Sequence, residues 1–210
     1  MKREAVALAG TVALAVSGAV ATSLTGSSDS DASSPQHTSG HHARAHGAVL
    51  RVVLRNAEGH WAGRVWMRQR GHSVVVHARL RSLSPGFHGF HVHTTGLCDP
   101  HAPDGPFTSA GGHLAAPGTT HGGHEGDLPS VLANDEGRGR LGFVTSRFSL
   151  SDLRDDDGSA VMLHKGRDNF ANIPDRYRSS DSSSPGADDM TKKTGDAGDR
   201  YACGVIPAAS

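Results

Sequence analysis

Cysteine is almost missing from the chain: 210 residues contain two, Cys98 and Cys203. Two thiols so far apart form no CxxC zinc or redox motif. An excess of either charge is missing too, since 21 Lys and Arg meet 21 Asp and Glu. That balance argues against a phosphate-backbone binder, which needs a basic face, so no nucleic-acid partner is expected. Aromatic residues make up 5% and hydrophobic residues 36%, enough for one modest core and too little for a polytopic membrane protein. What the chain has in excess is glycine (27) and histidine (15). The first suggests tight turns and long loops. The second makes a metal site the first thing to test, because imidazole is the commonest metal ligand.

Lys2 and Arg3 precede an uncharged run over residues 5–28, with Ala19-Val20-Ala21 as a small-residue cleavage site. Residues 1–21 read as a secretory signal, the alternative being an uncleaved anchor. Cleavage would remove Lys2, Arg3 and Glu4 and leave a net charge of −1, so attraction for an anion would have to be local. No stable membrane insertion is expected after cleavage. Export also favours a disulfide from an even pair of cysteines. Closing a loop of about 100 residues is worth about 4 to 5 kcal/mol in the chain-entropy account.

Residues 22–47 are Ser, Asp, Thr, Gly and His with almost no large apolar side chain. They read as a disordered linker, with His37, His41, His42 and His46 in it. Folding is expected over residues 48–210. Short β-branched or aromatic segments at 48–55, 60–69, 72–80, 87–93, 140–148, 160–164 and 201–206 are separated by Gly, Asn-Ala-Glu-Gly and Ser-Pro-Gly turns, the pattern of antiparallel strands. Two long stretches, 94–129 and 165–200, are rich in Gly, Pro, Asp and His, and loops of that length are usually functional. The one helix candidate is a turn near residues 151–155. The result is an all-β sandwich or barrel with two long loops.

In Phe87-His88-Gly89-Phe90-His91-Val92-His93, strand alternation puts His91 and His93 on one face and Phe90 and Val92 on the other. His88 falls away from that pair and reads as a buried structural histidine. Further on, Gly111-Gly112-His113 is followed by His121, His124 and Asp127. Three neutral nitrogen donors and a carboxylate suit a four-coordinate zinc ion. His164 ends a strand; His60, His72, His77 and His101 receive no role. Lys165 and Arg167 flank His164 and are either steering cations or a solvated pair.

Gly89-Phe90-His91-Val92-His93, the Gly-Gly-His of residues 111–113, the run His124-Glu125-Gly126-Asp127-Leu128-Pro129, and residues 196–206 around Arg200 and Cys203 together resemble the copper/zinc superoxide dismutases, particularly their bacterial secreted branch. The resemblance covers residues 48–207. It implies an eight-stranded Greek-key barrel or sandwich, immunoglobulin-like, with a Cys98–Cys203 disulfide. It implies copper on His91, His93, His113 and His164, and zinc on His113, His121, His124 and Asp127, with His113 shared. Asp168 stands where the family has a carboxylate joining a copper ligand to a zinc ligand. Arg200 stands for the arginine at the copper mouth, whose fixed charge draws in superoxide. The implied reaction turns two superoxide anions into dioxygen and hydrogen peroxide. One departure is that only Gly122 and Gly123 separate His121 from His124, fewer residues than in most of the family, so a copper-only enzyme is the alternative. A non-catalytic exported copper carrier is the reading from a different class; it would be expected to have lost a copper ligand, the arginine or the disulfide. The implied protein is exported to the periplasm, wall or medium, as a monomer or homodimer.

Overall fold

The computed structural model describes residues 49–209. The signal and linker segments of residues 1–47 lie outside the described residues. Nine strands are present: β1 (Val49–Asn56), β2 (Trp61–Arg70), β3 (Ser73–Leu80), β4 (Gly86–His88), β5 (Phe90–His93), β6 (Val131–Ala133), β7 (Gly139–Thr145), β8 (Ser159–His164) and β9 (Arg200–Ile206). They pair antiparallel in the order β4-β6-β7-β3-β2-β1-β9-β8-β5. Because β4 and β5 are consecutive in the chain yet end the order on opposite sides, the sheet curls into a nearly closed barrel. β3 is joined in the sheet to β7 and β1 to β9, crossings of the Greek-key kind.

The ninth strand arises because residues 87–93, expected as one strand, divide at Gly89 into β4 and β5. A Cβ there would press on Ala197 Cβ at 2.6 Å, so the loop before β9 reaches the barrel through the space a side chain would fill. β6 was not expected; three residues are too few to show alternation. The turn near residues 151–155 is a 3-10 turn, Asp152–Arg154. The four-residue helix α1 (Thr191–Thr194) lies in the second long loop and is too short for any periodic signal.

Alternation sorts the side chains as expected. Val52 and Leu54 of β1, Val65 and Met67 of β2, and Val74, Val76 and Ala78 of β3 point into one core with Phe90, Val92, Val161 and Leu163. Each fully buried side chain of this size stabilises by roughly 1.5 to 3 kcal/mol. β5 and β8 are buried on both faces. Their outer faces are covered by the long loops, and beneath the first loop Ala160, Met162 and Cys203 pack on Phe107 and Ala110. The Cys98–Cys203 disulfide ties that loop to β9.

Candidate metal centre

The covered face of β5 and the end of β8 carry the histidines. His91 and His93 are almost completely buried on the loop side, with Phe90 and Val92 in the core. The first long loop returns twice beside β5. Leu114 N–H donates to Val92 O at 2.9 Å, Val92 N–H donates to Gly126 O at 2.9 Å, and bridges form between His93 and His113 and between His91 and Asp127. No side chain fits at Gly126, since a Cβ would collide with the Val92 carbonyl. This close return brings His113 and Asp127 against the strand.

Each ring on the strand side has one nitrogen fixed and one free. His93 Nδ1 donates to Gly111 O and His164 Nδ1 to Gly198 O, both at 2.9 Å, and His91 Nε2 donates to Asp168 Oδ2 at 2.6 Å. Those bonds set the tautomers, leaving lone pairs on His91 Nδ1, His93 Nε2 and His164 Nε2. All three atoms are buried without a partner. Buried polar atoms are rarely left so. With a nitrogen of His113, the donors of His91, His93 and His164 fall within 4.8 Å of one another. Burial pushes the pKa of His164 down to about 3 and of His113 to about 4, and that of His93 well below its ordinary value. Neutral imidazoles are what a metal ion requires.

A second group converges on Asp127 Oδ1: His113 Nδ1 at 3.0 Å, His121 Nδ1 at 3.0 Å and His124 Nδ1 at 3.4 Å, with the His113 and His121 nitrogens 3.2 Å apart. A tetrahedron with bonds of about 2.0 to 2.1 Å has edges of about 3.3 Å, and His113, His121 and Asp127 meet that spacing; His124, expected as the fourth ligand, approaches only Asp127 and is not among the residues whose donors all lie within 4.8 Å of one another. His91 also falls within 4.8 Å of His113, His121 and Asp127, but its Nε2 is held by Asp168 and its free Nδ1 belongs to the first group. Asp168 lies between the two sets, accepting from His91 at 2.6 Å and from His121 Nε2 at 2.7 Å. Burial alone would lower the His121 pKa, but its bonds to Asp127 and Asp168 prevail and hold it up at about 9. Burial would raise both carboxyls; the same histidine bonds keep them below the ordinary carboxylate range.

The short step from His121 to His124 closes through contacts that the sequence did not disclose. Gly122 has φ 85°, and a Cβ there would sit 2.8 Å from Phe170 O. Asp127 Oδ2 accepts from the Gly122 and His124 amides at 2.7 and 3.0 Å. From outside, Arg147 donates through Nη1 to His124 O at 2.8 Å and through Nη2 to Gly122 O at 3.0 Å. Arg147 is distant in sequence from every ligand, and no motif marks it.

A pocket of about 610 Å³ opens onto His93, His113 and His164 and is bordered by Arg200, Lys193 and Thr194. Arg200 Nη1 donates to Phe107 O at 2.5 Å and Nη2 to Gly111 O at 2.6 Å, which holds its fork at the rim. Lys193 and Thr194 were not anticipated; only the turn of α1 distinguishes Lys193 from Lys192. Lys165 pairs with Asp199 at 3.1 Å on the surface. His88 is buried, its ring nitrogens facing His164 O at 2.9 Å and Ser84 O at 2.8 Å, which is a structural role.

A nearly closed antiparallel barrel whose loops gather buried histidines and a carboxylate into two neighbouring groups that share His113 has the layout of a binuclear metal-binding protein. Residues 61–206 match the family described as copper/zinc superoxide dismutase (SODC), and the chain belongs to that family. Among its relatives are a "Superoxide dismutase [Cu-Zn]" of Mycolicibacterium paratuberculosis, 47% identical over 60% of this chain and 58% of that protein. One of Escherichia coli K12 is 32% identical over 75% of this chain and 85% of that protein. The chain spans less than two thirds of the length of its mycobacterial relatives. Among solved structures, the Cu/Zn superoxide dismutase from Brucella abortus superposes with a TM-score of 0.57 at 29% identity, over 76% of this chain and 99% of that one.

Proposed function

We propose that the chain is an exported superoxide dismutase, with copper held by His91, His93, His113 and His164 and zinc by His113, His121, His124 and Asp127. The observation that carries this reading is the set of three buried, unpartnered nitrogens of His91, His93 and His164 beside His113. Copper held there would supply the one-electron couple by which two superoxide anions become dioxygen and hydrogen peroxide, and the second group, which shares His113, would hold redox-inert zinc. Arg200 keeps a cationic fork at the pocket rim, where an anion the size of superoxide meets it first, and Lys193 adds to that field. His113 Nε2, the nitrogen not engaged by Asp127, is the atom placed to hold a proton for the product. Asp168 orients a ring in each group at once.

The first 21 residues act as a cleaved signal and residues 22–47 as a linker, which puts the domain in the periplasm, wall or medium as a monomer or homodimer. No helix among the described residues is long and apolar enough to cross a membrane. A non-catalytic copper carrier is disfavoured because the four copper ligands, Arg200 and the disulfide are all retained. Counting copper and zinc per chain of the purified protein alongside a superoxide assay tests the reading. His93→Ala is expected to abolish dismutation and bleach the copper spectrum while the barrel stays folded; substantial activity without His93 would sink the assignment.

A further inference from the structure

Arginine is the only charged residue type in β1, β2, β3 and β7, although the chain as a whole is balanced. Register sets Arg64 opposite Arg79 and Arg79 opposite Arg140, all three exposed on the outer face. Like charges facing each other across strands destabilise a sheet. Among the described residues none of the three belongs to an ion pair. Both tryptophans lie beside them. The Arg79 guanidinium is 5.7 Å from the Trp66 ring, and those of Arg64 and Arg81 are 5.5 and 4.9 Å from Trp61. Stacking of this kind holds the guanidinium planes in place with their N–H edges free.

In the next rung Trp66 faces His77, and His77 faces Gly142. The missing side chain at Gly142 leaves a hollow of about 590 Å³ between Trp66, His77, Arg79 and Arg140. A second hollow of about 270 Å³, bordered by Trp61 and Arg81, shares Arg79 and Arg140 with the first. The two form one groove across the strands.

We propose that this groove binds an acidic polysaccharide, a sugar chain bearing carboxylates, independently of the metal centre. The unpaired forks call for a polyanion. Between them the surface is largely apolar, from the indoles of Trp61 and Trp66 and the alkyl stems of Arg79 and Arg140, so the occupant must bring C–H surface as well as charge. Sugar rings have such faces and inorganic polyphosphate has none. Nucleic-acid bases need open aromatic faces for stacking, and both indoles here already carry guanidinium groups. An added peptide strand needs a free sheet edge, whereas β2 and β3 are paired on both sides.

The test is calorimetric titration of the metal-loaded full chain with polygalacturonate at low and at physiological ionic strength. Binding that weakens with salt is expected. Arg79→Ser with Arg140→Ser should weaken it by about ten-fold or more, with the melting temperature not lowered and the dismutation rate unchanged. Arg176→Ser with Arg178→Ser removes the same charge from the second long loop and should leave binding intact. The proposal is overturned by no binding to polygalacturonate, by equal losses in the two double variants, or by equal binding of neutral dextran. Tighter binding of polyphosphate, single-stranded DNA or phosphatidylserine vesicles overturns it as well.

Discussion

At the pocket rim, two backbone carbonyls from the first long loop grip the Arg200 fork, and burial lowers the Arg200 pKa from its ordinary value, while a guanidinium in a protein stays protonated. Its charge is therefore permanent and its direction fixed. Arg200→Ala is expected to slow dismutation and flatten its dependence on ionic strength, checked by rates measured across a salt series; unchanged rates would place the steering elsewhere. Arg147 acts on the other group, through the carbonyls of Gly122 and His124. Losing two hydrogen bonds worth about 1 kcal/mol each net should weaken zinc binding by about ten-fold or more. Zinc competition titration and the spectrum of a cobalt-substituted protein would report it, with copper content unchanged. Both arginines act through main-chain oxygens, which is why they differ in legibility. Arg200 stands three residues before Cys203 and is marked by that spacing, whereas Arg147 touches only a glycine carbonyl and a histidine carbonyl, and its own neighbours say nothing of them.

Strands and loops contribute unequally to what could be read beforehand. β5 was legible because His91 and His93 alternate with Phe90 and Val92, two residues for each face. β2 and β3 were legible because buried positions alternate along them, Val65 and Met67 in one and Val74, Val76, Ala78 and Leu80 in the other. The division of residues 87–93 at Gly89 was hidden, since it depends on Ala197 arriving from the far end of the chain. β6 and α1 were hidden by brevity. The disulfide joins a loop to a strand that a distance in sequence alone would not connect, and the Arg200 grip spans the same two segments, with Phe107 and Gly111 in the loop and Arg200 in β9. Cys98→Ser is expected to lower stability by about 2 to 5 kcal/mol, measured by denaturant unfolding of the metal-loaded protein. It should also lower the dismutation rate, because Phe107 and Gly111 then hold Arg200 less firmly.

Across the molecule, the buried histidines couple stability to protons once metals are stripped. His113 and His164 have folded pKa values of about 4 and about 3, below the unfolded 6.5. Their contribution is complete above pH 6.5 and is lost as pH falls toward those values, because the unfolded chain takes up the protons first. His121, raised to about 9, contributes fully below pH 6.5 and loses that contribution as pH rises toward 9. The metal-free protein should therefore melt at its highest temperature near pH 6.5 and lower on either side. Thermal scans from pH 4 to 9 test this; a melting temperature that climbs steadily through the range would contradict it.

Charge is also partitioned by architecture. No strand contains Asp or Glu, and every acidic residue in the described part of the chain lies in a connection between strands. Among the described residues, the outer face of β1, β2, β3 and β7 thus presents arginine with no acidic neighbour in any strand, although the chain's formal charge is zero. Attraction between such a face and the acidic connections of a second molecule is expected to appear as light scattering in dilute buffer and to vanish at physiological salt, where the screening length is about 8 Å.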